Sequence, residues 1–217
     1  MSDARIAQRL ELAQIAAREA GAITLRYFCQ KNYDVELKHD RSPVTVADRQ
    51  AEEHLRSRIA AAFPDDAILG EEFPERPGTS GYRWILDPID GTKSFISGVP
   101  LYGALIGVEC ESKSVVGVIH VPALDETVSA AVGQGAWHVH GSSPPERARV
   151  SAKPKLADGL FLTSEVKTYD RVARRAAYER LEAASRLART WGDCYGYLLV
   201  ATGRAEVMVD PMMNVWD

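Results

Sequence analysis

Between Leu101 and His140 the chain offers four strand-like runs in succession, "LYGALIGVE", "SVVGVIHVP", "ETVSAAVG" and "GAWHVH", separated only by turn residues. Connections this short predict an antiparallel meander, because a parallel neighbour would need a crossover of a dozen or more residues. That sheet excludes an all-helical bundle. Helical segments on both sides of it exclude an all-β barrel. Ile6, Leu10, Ala13 and Ala17 form the apolar stripe of a helix running to about Tyr27. A second helix opens at Thr45 and Asp48, placed like a capping box, and carries Ala47, Ala51, Leu55 and Ile59 down one face. "DDAILGEE" and "GYRWILD" read as strands, and the polar stretch from Gln30 to Pro43 reads as a mobile loop or hairpin. After the Ser/Pro-rich connector "HGSSPPERARVSAKPK" come a strand ("GLFLTS"), a helix near Asp170 to Leu187, a small helix near Asp193 to Gly203, and a last strand, "AEVMVD". The expected architecture is a layered α/β sandwich. Residues 1–140 form an N-terminal part and 141–217 a C-terminal part that completes one compact unit.

Composition narrows the class. With 217 residues, 46% of them hydrophobic, the chain can bury a substantial core. A net charge of −4 gives no basic stripe for nucleic acid. No apolar run approaches the roughly 20 residues that cross a bilayer, and the charged start "MSDARIAQRLELAQ" has no apolar signal core. Cys29, Cys110 and Cys194 are odd in number and match no metal-ligand spacing, which fits reduced thiols in a cytoplasm.

The chemistry-bearing residues lie where strands end. In "WILDPIDGTKSF" an apolar strand runs into Asp87 and Asp90 around Pro88, then Gly91 and Thr92. Proline restrains the predicted turn, and across a tight turn both carboxylates can face one point. The same run is also ordinary turn chemistry. Two carboxylates so close repel each other, so either they cap that turn or a cation sits between them. Gly91-Thr92 precedes a stretch able to open a helix, where free N–H groups and a missing side chain favour a phosphate. "ILGEE" sets Glu71 and Glu72 past another strand, where an acid pair also reads as a solvated loop, and Asp217 follows "NVW". Such a hard oxygen set suits Mg2+ completed by substrate phosphate, and it lacks the His and Cys of a zinc or copper site. His138 and His140 alternate along a strand and read as exposed. There is no GxSxG elbow and no P-loop.

"LGEE", "WILDPIDGT" and a terminal "WD" together resemble the Mg2+-dependent, lithium-sensitive inositol monophosphatase superfamily. "DPIDGTKSFISGVPLYGALIGVE" and "GDCYGYLLVATGRAEVMVDP" are most similar to its histidinol-phosphate phosphatase branch. The resemblance implies a five-layered αβαβα sandwich, a homodimer, two or three Mg2+ ions, inhibition by Li+, and a small-molecule phosphate monoester as substrate. It implies metal-binding carboxylates at Glu71, Asp87, Asp90 and Asp217, with Glu71 also in the catalytic set and Ile89 lending its carbonyl. Gly91 and Thr92 match the phosphate-cradling turn. Asp48 and Thr92 match the pair that orients and deprotonates the attacking water. Lys38 matches the loop that helps close the site, and Arg189, Asp193 and Asp210 match contacts to the leaving alcohol. On residue type alone, Asp48 also reads as a helix N-terminal acid, Lys38 as a solvated charge, Arg189 as a surface arginine and Asp210 as a strand end. Cys194 reads as a small buried residue.

The family runs on past the terminal Trp-Asp with a helix and further strands. The expectation is therefore that a tail is trimmed, and that the chain ending at Asp217 exposes an edge and an apolar face. The activity expected is hydrolysis of histidinol phosphate in histidine biosynthesis. The alternatives are an inositol-1-monophosphatase or related sugar or nucleotide phosphatase, and a non-catalytic metal-binding scaffold.

Overall fold

The computed structural model describes residues 3–30, 35–37 and 43–217, and the expectation for Lys38 lies outside the described residues. Helix α1 (Asp3–Leu25) buries Ile6, Leu10, Ala13, Ala16, Ala17 and Ala20 along one face. A short hairpin, β1 (Val35–Leu37) and β2 (Pro43–Thr45), leads into helix α2 (Val46–Ala62). Thr45 caps α2: its hydroxyl accepts from the Ala47 N–H, and the Asp48 carboxylate takes the Thr45 N–H in return. The two helices lie side by side on one face of a seven-stranded sheet.

That sheet runs β3 (Ala67–Gly70), β4 (Tyr82–Asp90), β5 (Gly103–Cys110), β6 (Lys113–Val121), β7 (Glu126–Ala131), β8 (Gly135–His140) and β9 (Glu146–Arg147). Only the β3–β4 pair is parallel. The expected meander is therefore present as β5 to β8, and pairing continues through β9 to Arg147. Helix α3 (Thr92–Ile96) connects β4 to β5. Trp84, Leu86, Ile106 and Val108 point toward α1 and α2 and are fully or nearly fully buried. Each such side chain contributes roughly 1.5–3 kcal/mol relative to exposure.

A second sheet has three parallel strands in the order β11 (Leu187–Arg189), β10 (Leu160–Leu162), β12 (Val207–Met208). Strand alternation sets its two faces. Leu160 and Leu162 pack with Leu199 of helix α6 (Cys194–Ala201), while Phe161 packs with Tyr169 of α4 (Val166–Arg171) and Tyr178 of α5 (Arg175–Ala184). On its other side α6 inserts Cys194 and Leu198 against Val121 and Val128 of the large sheet. Helices, large sheet, α6, small sheet and helices make five layers, αβαβα, as expected.

Three local expectations change. The single helix expected near 170–187 is two, broken where Ala173 adopts φ 55°. The break lets Tyr169 and Tyr178 meet at 5.4 Å, with the Tyr178 ring 5.9 Å from Phe161. Strand β4 does not end at Asp87 but continues to Asp90. His138 is not an exposed strand histidine: it lies between Glu126 and Glu146, at 2.7 and 3.0 Å. Among the described residues no helix is long and apolar enough to cross a membrane.

Candidate active site

In a regular strand, residues three apart point to opposite faces, so Asp87 and Asp90 should diverge. They do not, because the register shifts between them. Asp87 faces Leu105 on β5 and Asp90 faces Gly103, three steps against two. The extra residue is a bulge, which re-aims one side chain. The expectation of a tight turn is corrected accordingly: a bulge inside β4, not a turn after it, brings the carboxylates together. Ile89 turns the other way, into a pocket with Phe95 and Tyr102. Oxygens of Asp87, Asp90 and Asp217 all lie within 4.8 Å of one another.

Parallel pairing delivers a fourth acid. Strand β3 ends opposite Leu86, just before Asp87 on β4, and the Glu71 N–H extends their ladder to the Leu86 carbonyl at 3.2 Å. The turn there is held by Glu52, a buried α2 side chain that accepts from Arg56 Nε and from the Glu72 N–H, both at 2.7 Å. Gly70 leaves room for it, since a Cβ there would clash with the Glu52 carboxylate. Sequence reading missed Glu52, although a carboxylate on the apolar stripe of α2 is itself a signal.

The electrostatics of the cluster follow from burial among like charges. Asp87 is 2% exposed, and its Oδ1 accepts from the Ile89 N–H at 3.0 Å. Burial, then the charges of Asp90, Glu71 and Asp217, push its carboxyl well above the usual range. Burial and Asp193 push Asp90 up to about 8, although the Cys194 N–H donates to its Oδ2 at 2.5 Å. Asp48 is pushed up to about 6 by burial, against the lowering effect of the Thr45 hydroxyl, 2.6 Å away, and the Thr45 N–H, 2.8 Å away. A cation would relieve all of this. The oxygen-only donor set fits a hard ion, and the Cys194 thiol, raised well above its usual value by burial and Asp90, stays protonated and offers no thiolate.

Beside the acids, Gly91 takes φ 85° and starts α3, and the Thr92 hydroxyl donates to the Ile89 carbonyl at 3.2 Å. The Asp193 carboxylate lies against this turn, 2.8 Å from where a Gly91 Cβ would be. A groove of about 990 Å³ opens from here between the two sheets, lined by Asp90, Gly91, Thr92, Asp193, Asp210 and Asp217 among others. Asp210 stands at its far wall with four donors: the Thr163 hydroxyl, the Ser164 N–H, the Ser164 hydroxyl and the Tyr197 hydroxyl, at 3.1, 2.8, 2.8 and 3.3 Å. Ser164 and Tyr197 also line the groove and were missed in the sequence, where nothing marks them. Arg189 is not brought to it: its guanidinium, exposed at the end of β11, donates to the Ala188 carbonyl at 2.7 Å and does not line the groove.

Comparisons with known proteins identify the family and the fold. The inositol monophosphatase family model matches residues 6–217. The chain is 47% identical over 208 residues to a histidinol-phosphatase of Chlorobaculum parvum, covering 96% of this chain and 78% of that protein. It is 37% identical over 150 residues to an inositol-1-monophosphatase of Rhizobium meliloti, covering 68% and 54%. Among solved structures, the extragenic suppressor protein suhB of Bartonella henselae superposes with a TM-score of 0.87 at 30% identity, covering 97% of this chain and 81% of that one.

Proposed function

The chain belongs to the inositol monophosphatase family, and we propose that it is a Mg2+-dependent phosphomonoesterase that hydrolyses histidinol phosphate to histidinol and phosphate. The observation that carries the substrate is the 47% identity, over nearly the whole chain, to a histidinol-phosphatase. The chemistry is supported by the buried acidic cluster. In this reading Asp87, Asp90, Asp217 and Glu71, with the Ile89 carbonyl, would hold the metal. When bound, Mg2+ supplies charge neutralisation at the phosphoryl oxygens and acidifies water.

The chain's own groups do the rest. The Gly91–Thr92 turn presents backbone N–H groups to the phosphate, and Gly91 takes the φ of 85° that this turn requires. Asp48 orients the attacking water with Thr92 and takes its proton; a carboxyl raised to about 6 is a better base near neutrality than an ordinary one. Asp210 fixes the Ser164 and Tyr197 hydroxyls, so these two present polar atoms to the leaving alcohol, with Asp193 on the near wall. The reading extends to a cytoplasmic homodimer serving histidine biosynthesis and inhibited by Li+.

The 37% identical inositol-1-monophosphatase favours a second reading, in which the alcohol is inositol. Phosphate release from histidinol phosphate, inositol 1-phosphate and fructose 1,6-bisphosphate, with Mg2+ and with EDTA, separates them. EDTA-sensitive preference for histidinol phosphate is the expected result. Preference for another ester moves the substrate and keeps the chemistry, and release from none overturns the reading.

A further inference from the structure

Three charged side chains stand at the mouth of the groove, outside the acidic cluster. Lys93 projects from the first turn of α3, Glu165 precedes α4 directly after Ser164, and Arg171 ends α4. All three line the groove that holds Asp90, Gly91 and Asp193. Glu165 gives one carboxylate oxygen to each cation: Oε2 lies 3.2 Å from Lys93 Nζ and Oε1 3.6 Å from Arg171 Nη2. The bridge therefore links an element beside the large sheet to one beside the small sheet.

Its contribution to folding is small. Lys93 and Arg171 are 70% and 58% exposed, and exposed pairs of this kind are screened and entropically costly. Its effect on the groove is larger, because the three charges face a site that receives a dianion. With Glu165 present, the two cations share one carboxylate and the mouth carries a single net positive charge, while Asp193 and Asp210 stand on the wall beyond the phosphate turn. Without it, the same groove mouth carries two net positive charges, one more than before. The Lys93 hydrogen bond, with the Arg171 charge, holds the Glu165 carboxyl below its usual range, so the bridge is ionised at working pH.

We propose that Glu165 is a specificity-determining residue that sets the charge of the leaving alcohol: it admits an ester with a cationic alcohol and disfavours one carrying a second phosphate. This rests on reading the groove as a phosphomonoesterase site. The cationic class includes amino-alcohol phosphates; the excluded class includes sugar bisphosphates. The bridge acts through electrostatics across the groove mouth, so its effect weakens as salt rises.

The test is Glu165→Gln, which keeps the shape and removes the charge. We would measure kcat/KM for histidinol phosphate and for fructose 1,6-bisphosphate in both proteins, at low and high salt, together with the Tm shift that each ester produces. The expected result is a rise of about tenfold in the bisphosphate-to-histidinol phosphate ratio, carried by KM, and a smaller rise at high salt. Adding Lys93→Gln should take back roughly half of the gain on a logarithmic scale. A ratio within twofold of wild type, or equal losses on both esters, overturns the proposal. Wild-type protein that releases phosphate from neither ester would sink the phosphatase reading instead. The ester-induced Tm shifts, which need no turnover, would then still decide the role of Glu165.

Discussion

Asp66 and Asp87 are equally buried, at 1% and 2% exposure, and have opposite surroundings. Asp66 receives Arg9 Nε and Nη2 at 2.9 and 2.8 Å, the Ser80 hydroxyl at 2.6 Å and the Trp84 indole N–H at 2.8 Å. The Arg9 guanidinium is itself sandwiched between the Phe63 and Tyr82 rings, 4.2 and 3.6 Å from their centroids. Here the chain neutralises its own buried carboxylate. At Asp87 it surrounds the carboxylate with Asp90, Glu71 and Asp217 instead. Local sequence does not separate the two cases; their neighbours do. A carboxylate whose counter-charge is inside the chain is structural, and one whose charged neighbours are all acids suits a cation from outside.

Replacing each carboxylate's key charge should therefore give opposite results. Asp87→Asn should lower kcat/KM on the order of 10³-fold. In EDTA the same variant should melt above wild type, because a raised carboxyl binds more protons folded than unfolded. In metal-free wild type, stability falls as pH rises from about 4, the unfolded value, through the folded value. A lower Tm for Asp87→Asn in EDTA would break the comparison.

Arg9→Met reverses the pattern. It strands a buried Asp66 carboxylate and should cost about 3–5 kcal/mol in urea unfolding, with phosphate release per folded molecule unchanged well below Tm. If that variant loses activity at full foldedness, the Asp66 network is coupled to the site and is not purely structural.

His120 shows a third way to bury an ionisable group, which is to keep it neutral. Its Nδ1 lies 2.8 Å from the Thr127 hydroxyl, and burial pushes its pKa down to about 4. The unfolded chain binds that proton first, so stability falls as pH drops from about 6.5 to 4, by about 3 kcal/mol in all. The acid cluster contributes with the opposite sign over the same range. The difference between wild type and His120→Gln isolates the histidine, and an identical pH slope in both proteins would remove it from the account.

Thr45→Val should have the smallest effect, about 1 kcal/mol for the lost cap of α2. It also removes the hydroxyl that lowers the Asp48 pKa, so the acid limb of kcat should move to higher pH. An unmoved limb would separate Asp48 from the base.

What could be read in advance was whatever is local. The stripe from Ile6 to Ala17, the capping pair Thr45 and Asp48 and the runs that became β5 to β8 each depend on one period or one turn, which a linear chain displays. The acids of "LGEE" and "DPID" were legible as residues, but the bulge that aligns Asp87 with Asp90 was not, because a register shift exists only against a partner strand. Ser164, Tyr197 and Glu165 were invisible for a related reason. They reach the groove only because the small sheet and α6 stack onto the large sheet, more than 70 residues downstream of Thr92.

The sequence by itself determined which groups are present and which short elements form: two amphipathic helices, a meander, and the acid-bearing runs around Glu71 and Asp87. Tertiary structure alone decided which of those carboxylates share a space and with what. Asp66 found an arginine, Asp87 found other acids, Asp210 was filled by hydroxyls, and Arg189 was turned outward. The reason is physical: element formation follows nearest-neighbour periodicity, whereas the energy of a buried charge depends on every group packed around it.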